Sequence, residues 1–284
     1  MRRLLPLMAL AALTACAAAK VNYTDPAGPR FAGGVATSPE GETALRVASL
    51  NVSMGSHLPE VIALLQSSSE LELADLVLLQ EVDSVSVRTI ADALEMAWVY
   101  YPATLHPKSQ RDYGNAVLSR HPILADQKIP LPYLARGRRT ARAAVAATVE
   151  VHGQPVRVYS LHLATVIGNT PSQRYEQLRT VLSDADRYPA AIIGGDFNDE
   201  AVPELALPHG FSWPTRNLPA TNAFWTFDHI LVKGLPGVRT ASTGVVHDTL
   251  GASDHRPVWL ELARVPQAST PLAGAAAGPV PIGP

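Results

Sequence analysis

The stretch Ala-Ala-Ile-Ile-Gly-Gly-Asp-Phe-Asn occupies residues 190–198 of the chain. Its short apolar run lacks a helical period and ends in two glycines, which indicates a buried strand followed by a sharp turn or a close backbone approach. At the carboxyl end of such a strand, the side chains of Asp196 and Asn198 would face a crevice. Both residue types are also common in ordinary turns, so this stretch alone leaves two interpretations open.

The composition is that of an ordinary globular protein. The 284 residues suffice for one large domain or two small ones, and 47% hydrophobic with 17% charged residues predicts a sizeable core. The net charge of −2 provides no global basic field that would mark a nucleic-acid-binding protein, although a local basic groove remains compatible with it.

The N-terminus has the organisation of a secretory signal. Arg2 and Arg3 precede an apolar run over residues 4–13, and small residues lead to Cys16. The run is too short to span a bilayer. Residues 13–16 (Leu-Thr-Ala-Cys) resemble the bacterial lipobox, in which the cysteine becomes the lipidated first residue of the mature protein. The alternative is an ordinary signal with an incidental cysteine.

Cys16 is the only cysteine of the chain. The mature chain therefore forms no intramolecular disulfide and no thiolate metal site. We expect residues 1–15 to be a lipoprotein signal peptide and the exported protein to be anchored to a bacterial membrane through Cys16. Ala17 resembles the pattern for sorting to the outer membrane in Gram-negative bacteria.

The two ends of the chain differ in composition from its middle. Residues 16–42 lack periodicity and predict a flexible tether, and 13 of the 19 residues from Pro266 to Pro284 are Pro, Gly or Ala. We therefore predict a disordered tail over residues 265–284. A single domain over residues 43–264 remains, without an internal repeat, and we expect it to be a monomer.

Strand-like and helix-like segments follow one another along this domain. Helical spacing, with Pro59 and Pro171 in first turns, predicts helices over 58–65, 88–96 and 171–186. Apolar or alternating runs predict strands over 45–52, 75–82, 113–120, 140–151, 157–162, 190–195, 227–232 and 256–262. Strands outnumber helices and several connections look like hairpins, one of them at Gln154-Pro155. This pattern predicts an α/β (α+β) layered sandwich of mixed sheets with helices outside.

Eight polar side chains recur at the ends of six of these strands. Glu and His are not favoured turn residues, so turns alone do not explain the set. Oxygen ligands suit a hard cation such as Mg²⁺, and two histidines near carboxylates suit acid–base chemistry. A zinc site is disfavoured because no two histidines have the spacing of one helical turn. The eight are Asn51, Glu81, His162, Asp196, Asn198, Asp228, Asp254 and His255.

These residues lie in motifs that resemble, in order, those of the endonuclease/exonuclease/phosphatase superfamily. Gly-Asp-Phe-Asn over 195–198 and Ser-Asp-His over 253–255 carry the resemblance most specifically in combination. The other matching motifs are Asn51, Gln80-Glu81, Tyr113-Gly114-Asn115-Ala116, Ser160-Leu161-His162 and Asp228-His229-Ile230. The resemblance spans about residues 43 to 264 and implies a four-layer α/β sandwich, with two mixed β-sheets packed face to face and the site at the strand ends.

The resemblance also implies roles for individual residues. Glu81 would bind Mg²⁺, with Mn²⁺ as a substitute, helped by Asn51 and with Asp254 near the same ion. Asp196 would orient or deprotonate the attacking water, and Asn198 would hold the phosphate. His255, held by Asp228, would be an acid–base partner or a phosphate ligand. His162 matches the branch that has His where apurinic endonucleases carry Tyr, which argues against base-excision repair. Arg142 would contact substrate phosphate or be paired structurally.

Two classes of function follow. The first is a Mg²⁺-dependent phosphoester hydrolase acting on nucleic acid, a phospholipid headgroup or an inositol phosphate. The second is a catalytically inactive sandwich that serves as a surface binding module, although no motif position is degraded. Apolar residues such as Tyr133, Leu134 and Trp225, and a basic loop from Arg136 to Arg139, are compatible with a lipid surface or with a nucleic-acid backbone.

Overall fold

The computed structural model describes residues 21–37, 44–107, 109–137, 139–235 and 238–264. The α-helices are α1 (Leu58–Ser67), α2 (Ser84–Leu94) and α3 (Pro171–Ala185), and two 3₁₀ helices cover Ser53–Gly55 and Val202–His209. The strands are β1 (Phe31–Gly33), β2 (Ala44–Asn51), β3 (Leu76–Val82), β4 (Ala97–Leu105), β5 (Asp112–Ser119), β6 (Ile123–Leu131), β7 (Arg142–Val151), β8 (Gln154–His162), β9 (Ala191–Asp196), β10 (Phe211–Ser212), β11 (Asp228–Lys233), β12 (Val238–Val245) and β13 (Val258–Arg264).

The strands form two mixed sheets. The first has the order β1-β4-β5-β3-β2-β13-β12, and the second has the order β10-β11-β9-β8-β7-β6. Among the strands of the described residues, only β2 with β3 and β8 with β9 run parallel, and each of these pairs is joined through a helix, α1 or α3. The predicted sandwich of two mixed sheets is thereby confirmed.

The four layers follow from where apolar side chains pack. One core cluster joins the facing sides of the two sheets and includes Leu78, Val145 and Ile192. A second cluster packs α1 and α2 against the outer side of the first sheet, and a third packs α3 against the second sheet. A strand covered on both sides needs apolar residues at every position, and this explains the unbroken apolar runs of β3 and β9.

Local signals define α3 well. Thr170 caps the helix by accepting a hydrogen bond from the Gln173 amide, and the Gln173 side chain accepts one from the Thr170 amide. Pro171 occupies the first turn, where its missing N–H costs no helical hydrogen bond. The buried side of α3, with Leu178 and Leu182, packs on the second sheet.

Some predictions were wrong in detail. The turn between β7 and β8 lies at His152-Gly153, both with positive φ, and Gln154-Pro155 already belongs to β8. The sequence analysis also missed β1, β4, β6, β10 and β12. Residues 123–131, for which no element is predicted, form β6, and its last residue is Leu131. The edge strands β6 and β12 expose many residues and lack a clean alternation, so their pattern is weak.

The prediction of a flexible tether over residues 16–42 is wrong for its described part, residues 21–37. Phe31–Gly33 forms β1 and pairs with β4. Arg30 makes a bidentate ion pair with Asp126 of β6 at 2.6 Å. The segment therefore lies along β4 of the first sheet and contacts β6, an edge strand of the second sheet. It is held there by hydrogen bonds, which a search for sequence periodicity does not detect.

Lys128 is buried in β6 beneath this segment. Its Nζ donates a hydrogen bond to the Gly28 carbonyl at 3.2 Å and lies 5.8 Å from the centre of the Tyr23 ring. Burial, only partly offset by the charge of Asp25, lowers the pKa of Lys128 from its usual 10.5 to about 8. Below pH 8 the folded protein therefore holds a poorly solvated ammonium group.

We expect Lys128→Met to raise the free energy of unfolding at pH 7, with an upper bound of about 3 kcal/mol. Between pH 8 and 10.5 the unfolded wild type binds a proton at Lys128 that the folded state has lost, so the free energy of unfolding of the wild type rises with pH. The stability advantage of Lys128→Met should therefore shrink over this pH range. Urea unfolding of both proteins at pH 7 and near pH 10 measures this. An advantage that is equal at both pH values would contradict the assignment.

The predicted signal peptide (1–15), Cys16 and the predicted tail (265–284) lie outside the described residues. Among the residues that are described, no helix has the length and apolar character needed to cross a membrane.

Candidate active site

Six strands bring their polar ends to one edge of the sandwich. Asn51 and Glu81 lie at the ends of the parallel strands β2 and β3, and His162 and Asp196 end the parallel strands β8 and β9. Asp228 instead begins β11, which runs antiparallel to β9 and pairs Asp228 directly with Asp196. In the same way β13 is antiparallel to β2, so Asp254 and His255, which precede the first residue of β13 by four and three positions, reach the same edge.

Asp196 lies at the centre of this edge. Its Oδ2 accepts a hydrogen bond from Asn51 Nδ2 at 3.2 Å and lies 3.4 Å from Nε2 of His162 and 3.8 Å from Nε2 of His255. Its Oδ1 accepts a hydrogen bond from the Asn198 amide at 2.8 Å. One carboxylate oxygen is thus shared by side chains from β2, from β8 and from the connection before β13, while the other oxygen fixes the orientation of the group.

The electrostatic surroundings of Asp196 disfavour its charged form. Burial and, next, the negative charge of Asp228 raise the pKa of Asp196 to about 7, while His255 and the Asn198 amide partly counter them. A carboxyl group with a pKa near neutrality can both accept and release a proton at physiological pH.

A local irregularity turns Glu81 into the site. The pairing of β3 with β5 shifts by one residue between Gln80 and Val82, and Glu81 has a φ of 57°. Such a bulge changes the direction of the side chain of the extra residue. Without the bulge, the Glu81 side chain would be buried like the other side chains of β3. The Glu81 Oε1 accepts a hydrogen bond from Asn51 Nδ2 at 3.2 Å, and its side chain is 22% exposed.

Asp254 reaches this pair only indirectly. Its Oδ1 accepts a hydrogen bond from the Ser53 hydroxyl, and the Ser53 amide donates to Asn51 Oδ1 at 3.0 Å. Among the described residues, no group of three or more His, Cys, Asp or Glu side chains has the arrangement of a complete metal site. Glu81 therefore contacts Asn51 directly, through the Asn51 Nδ2, whereas Asp254 is linked to Asn51 through Ser53.

His255 and Asp228 form a tightly held pair. His255 Nδ1 donates a hydrogen bond to Asp228 Oδ2 at 2.8 Å, and Ser253 Oγ accepts one from the His255 amide at 3.1 Å. Burial opposes the charged imidazolium, but the Asp228 carboxylate outweighs it, and the pKa of His255 rises to about 10. His255 is thus a cation at neutral pH, with Nε2 directed towards Asp196.

His162 has the opposite character. Arg142 Nη1 donates to its Nδ1 at 3.2 Å, and the Tyr113 hydroxyl lies 3.3 Å from the same atom. Because a cationic donor faces Nδ1, this nitrogen is an acceptor, and Nε2 carries the hydrogen that points to Asp196. Burial and the positive charges of Arg142 and His255 lower the pKa of His162 well below its usual range. His162 is therefore a neutral donor that orients the carboxylate.

Arg142 is paired inside the protein and also lines a cavity. Besides its contact with His162, its Nη1 donates to the Tyr113 hydroxyl at 2.8 Å. The cavity has a volume of about 400 Å³ and opens beside Glu81, with Arg136 and Ile167 in its wall. The structural pairing expected as one alternative is present, and contact with substrate phosphate remains a prediction.

Asn198 lies next to Asp196 but uses its amide internally. Its Nδ2 donates to the Leu163 carbonyl at 3.2 Å, and its φ of 50° marks the sharp turn after β9. Its role as a phosphate ligand is a prediction that these contacts do not test.

Sequence reasoning missed three polar residues of this edge as site members. The Tyr113 hydroxyl contacts both His162 and Arg142 and so helps to position them. In the sequence, Tyr113 is marked only as part of a motif. Ser53 and Ser253 connect Asp254 and His255 to the end of β2, since Ser253 Oγ donates to the Asn51 carbonyl at 2.6 Å. Ser253, like Tyr113, belongs to one of the quoted motifs, whereas a serine next to a predicted strand end carries no signal by itself, so only its contacts identify Ser53.

The sequence matches the model of the Endonuclease/Exonuclease/phosphatase family over residues 48–255. No curated protein matches the sequence. Solved structures with the same fold include an endonuclease/exonuclease/phosphatase from Beutenbergia cavernae DSM 12333. It has 20% identity and a TM-score of 0.64 over 79% of this chain and 72% of that chain.

Two further structures are similar over nearly their whole length. The first is D. rerio TDP2 complexed with a single strand DNA product, with 21% identity and a TM-score of 0.63 over 78% of this chain and 99% of that chain. The human Nocturnin catalytic domain with a bound sulfate anion has 17% identity and a TM-score of 0.62, over 83% and 98%. At these identities the likeness establishes the fold alone, whereas the family match covers most of the chain and includes every strand end of the site. The chain belongs to the endonuclease/exonuclease/phosphatase family, whose members hydrolyse phosphoester bonds.

Proposed function

We propose that this protein is a Mg²⁺-dependent hydrolase of phosphoester bonds that acts at the edge around Asp196. The observation that carries the proposal is the position of one carboxylate oxygen of Asp196, which lies between the Asn51–Glu81 pair and the His255–Asp228 pair. Oxygen donors on one side and a cationic acid on the other are what hydrolysis of an anionic phosphoester requires.

The residues of this edge fit a hard divalent cation. Mg²⁺ binds through one or two carboxylates and keeps several waters, so it does not need a cage of three acidic side chains. Glu81 is in contact with Asn51 and is partly open to the cavity, and Asp254 stands nearby through Ser53. Bound there, Mg²⁺ or Mn²⁺ would neutralise charge on the phosphoryl oxygens and lower the pKa of a water.

The chain's own residues would handle the protons. Asp196 Oδ2 would accept the proton of the attacking water, and the hydrogen on His162 Nε2 would hold that oxygen in position. His255, kept charged by Asp228, would present its Nε2–H to a phosphoryl oxygen or to the leaving oxygen. Arg142 and Arg136 in the cavity wall would add positive charge for the rest of the phosphoester.

We expect activity on a generic phosphodiester to disappear in a chelator and to return with Mg²⁺ or Mn²⁺. Glu81→Gln should raise the metal concentration needed for half-maximal activity, because it removes one ligand charge. Glu60→Gln, a change in the first turn of α1, is the matched control and should leave that concentration unchanged. Assays against DNA, RNA, phospholipids and inositol phosphates then identify the substrate class.

Three results of these assays would be decisive. Full activity in the chelator would contradict the metal requirement, and restoration by Zn²⁺ alone would indicate a different kind of site. A folded protein without activity on any of these substrates would instead support the second class of function, an inactive surface binding module.

We also propose that the protein is exported and anchored through a lipid on Cys16. The order of basic, apolar and small residues before this single cysteine supports the proposal. Metabolic labelling with a fatty-acid analogue tests it: wild type should be labelled and fractionate with membranes, and Cys16→Ser should be released.

A further inference from the structure

The N-terminal segment is fastened at the active-site end of the sandwich. The Val21 carbonyl accepts a hydrogen bond from the Leu105 amide, and the Tyr23 amide donates to the Ala103 carbonyl, both at 2.9 Å. Asn22 adds two hydrogen bonds across to the other sheet, from its Nδ2 to the Arg139 carbonyl at 3.0 Å and from the Ala141 amide to its Oδ1 at 2.8 Å.

This attachment point lies beside the catalytic cavity. The last residues of β4 include Thr104, which bridges to Asn22, and the short stretch that Asn22 holds contains Thr140. Thr104 and Thr140 both line the cavity that opens at Glu81. The described chain therefore begins at the mouth of the site and not at the opposite end of the strands.

The covalent distance from this point to Cys16 is short. Only four residues separate Cys16 from Val21, and a fully extended chain advances at most about 3.6 Å per residue, so the two Cα atoms lie within about 18 Å of each other. The predicted tether of residues 16–42 would have allowed any orientation of the domain. The contacts of Val21, Asn22 and Tyr23 instead hold the domain at a point that is only four residues from Cys16.

The surface around the mouth carries exposed apolar side chains. Ile167 and Phe224 are 92% and 90% exposed, and Tyr133 and Leu134 are also exposed. The loops that carry them adjoin the site, since the Arg136 amide donates to the Gly168 carbonyl and Asn222 bridges to His255. Exposed Arg136 and Arg139 lie among them. Apolar side chains interspersed with arginines suit the interface of an anionic bilayer.

We propose that this surface, made of residues 133–136, 166–168 and 223–225, faces the bilayer to which Cys16 is anchored. The active site is then held towards the membrane. On the proposed function, on which this step rests, its substrates are phosphoesters presented at that lipid surface. The opposite end of the domain faces away, because strands of eight or nine residues separate the two ends by roughly 30 Å.

The orientation can be measured without any enzymatic activity. Ser56→Cys and Ser69→Cys place a single thiol at either end of α1, Ser56 next to the site and Ser69 at the far end. Cys16 carries the lipid, so each new thiol is the only one that a dye can label. The full-length lipidated variants are reconstituted into vesicles of phosphatidylcholine and phosphatidylglycerol that contain an acceptor lipid. We expect severalfold greater energy transfer from position 56 than from position 69.

A second pair of variants tests the surface itself. Phe224→Ser combined with Leu134→Ser should reduce the difference between the two labels. The control is Leu73→Ser combined with Leu124→Ser, which changes two exposed apolar residues at the far end and should leave the difference intact. Equal transfer from both labels, greater transfer from position 69, or wild-type protein that does not stay on vesicles would overturn the proposal.

Hydrolysis is measured separately on the same vesicles. We expect a phosphodiester attached to a vesicle lipid to be cleaved several times faster than the same group in solution, and Cys16→Ser should abolish this preference. A correctly oriented protein without hydrolysis would refute the proposed function alone, whereas hydrolysis with equal transfer from both labels would refute the orientation alone.

Discussion

Asp196→Asn is expected to lower kcat for phosphoester hydrolysis by about 10²–10⁴-fold, the usual cost of losing one acid–base group. The amide has nearly the shape of the carboxylate, and its oxygen can still accept the hydrogen bond from the Asn198 amide. It cannot accept the proton of the attacking water. Because Asp196 has a pKa of about 7 in its buried position, replacing it also removes a group whose charge opposes folding. This gain offsets the loss of the acceptor that Asn51 Nδ2 and His162 Nε2 share in the wild type, so the variant should still fold.

The measurement is steady-state hydrolysis together with thermal unfolding of the same preparation. His255→Ala should give a loss of similar size, since it removes the cationic donor opposite Asp196. Asp186→Asn is the control: this exposed carboxylate pairs with His209 outside the site and should leave kcat unchanged. Near-native kcat in Asp196→Asn would show that Asp196 is not the base.

Gly195→Ala is expected to destabilise the fold by about 4 kcal/mol or more, or to prevent folding. Gly195 has a φ of 147°, which side chains rarely adopt, and a Cβ at this position would lie 1.9 Å from the Leu161 carbonyl oxygen. Leu161 is its partner in the parallel pairing of β8 with β9, so this pairing could persist only with a backbone shift. The shift would also move Asp196, the next residue.

Urea unfolding of Gly195→Ala and Gly210→Ala measures this effect. Gly210 also has a positive φ, 83°, but a Cβ there would meet no atom within 4 Å. Its replacement should cost only the conformational strain of an alanine, about 1 kcal/mol. A cost for Gly195→Ala no greater than that for Gly210→Ala would show that β8 and β9 can separate freely.

The roles proposed for the site rest on the contacts of this chain. The three structural relatives described above share 17–21% identity with it, so they support the fold and not a substrate. The arrangement that distinguishes the site is a neutral His162 and a charged His255 on two sides of one carboxylate oxygen. Their different partners, Arg142 for His162 and Asp228 for His255, produce these opposite states.

The sequence by itself determined the elements that burial makes unambiguous. Runs such as Leu76–Leu79 and Ala191–Ile193 are apolar at each position because helices cover one side and the other sheet covers the second. Helical spacing and Pro171 in the first turn likewise predicted α3 almost to its ends. The polar side chains at the ends of these elements predicted one shared site, because buried strands must place such groups at an edge.

Only the tertiary structure decided which atoms meet at that edge. Glu81 enters the site through a bulge in the pairing of β3 with β5, and Asp228 reaches Asp196 through the antiparallel register of β11 with β9. Both depend on pairing between strands that are distant in sequence, which no local pattern records. The same holds for residues 21–37, whose lack of periodicity predicts a tether. Hydrogen bonds and ion pairs to β4, β6 and the residues around Thr140 fasten this segment to the mouth of the active site.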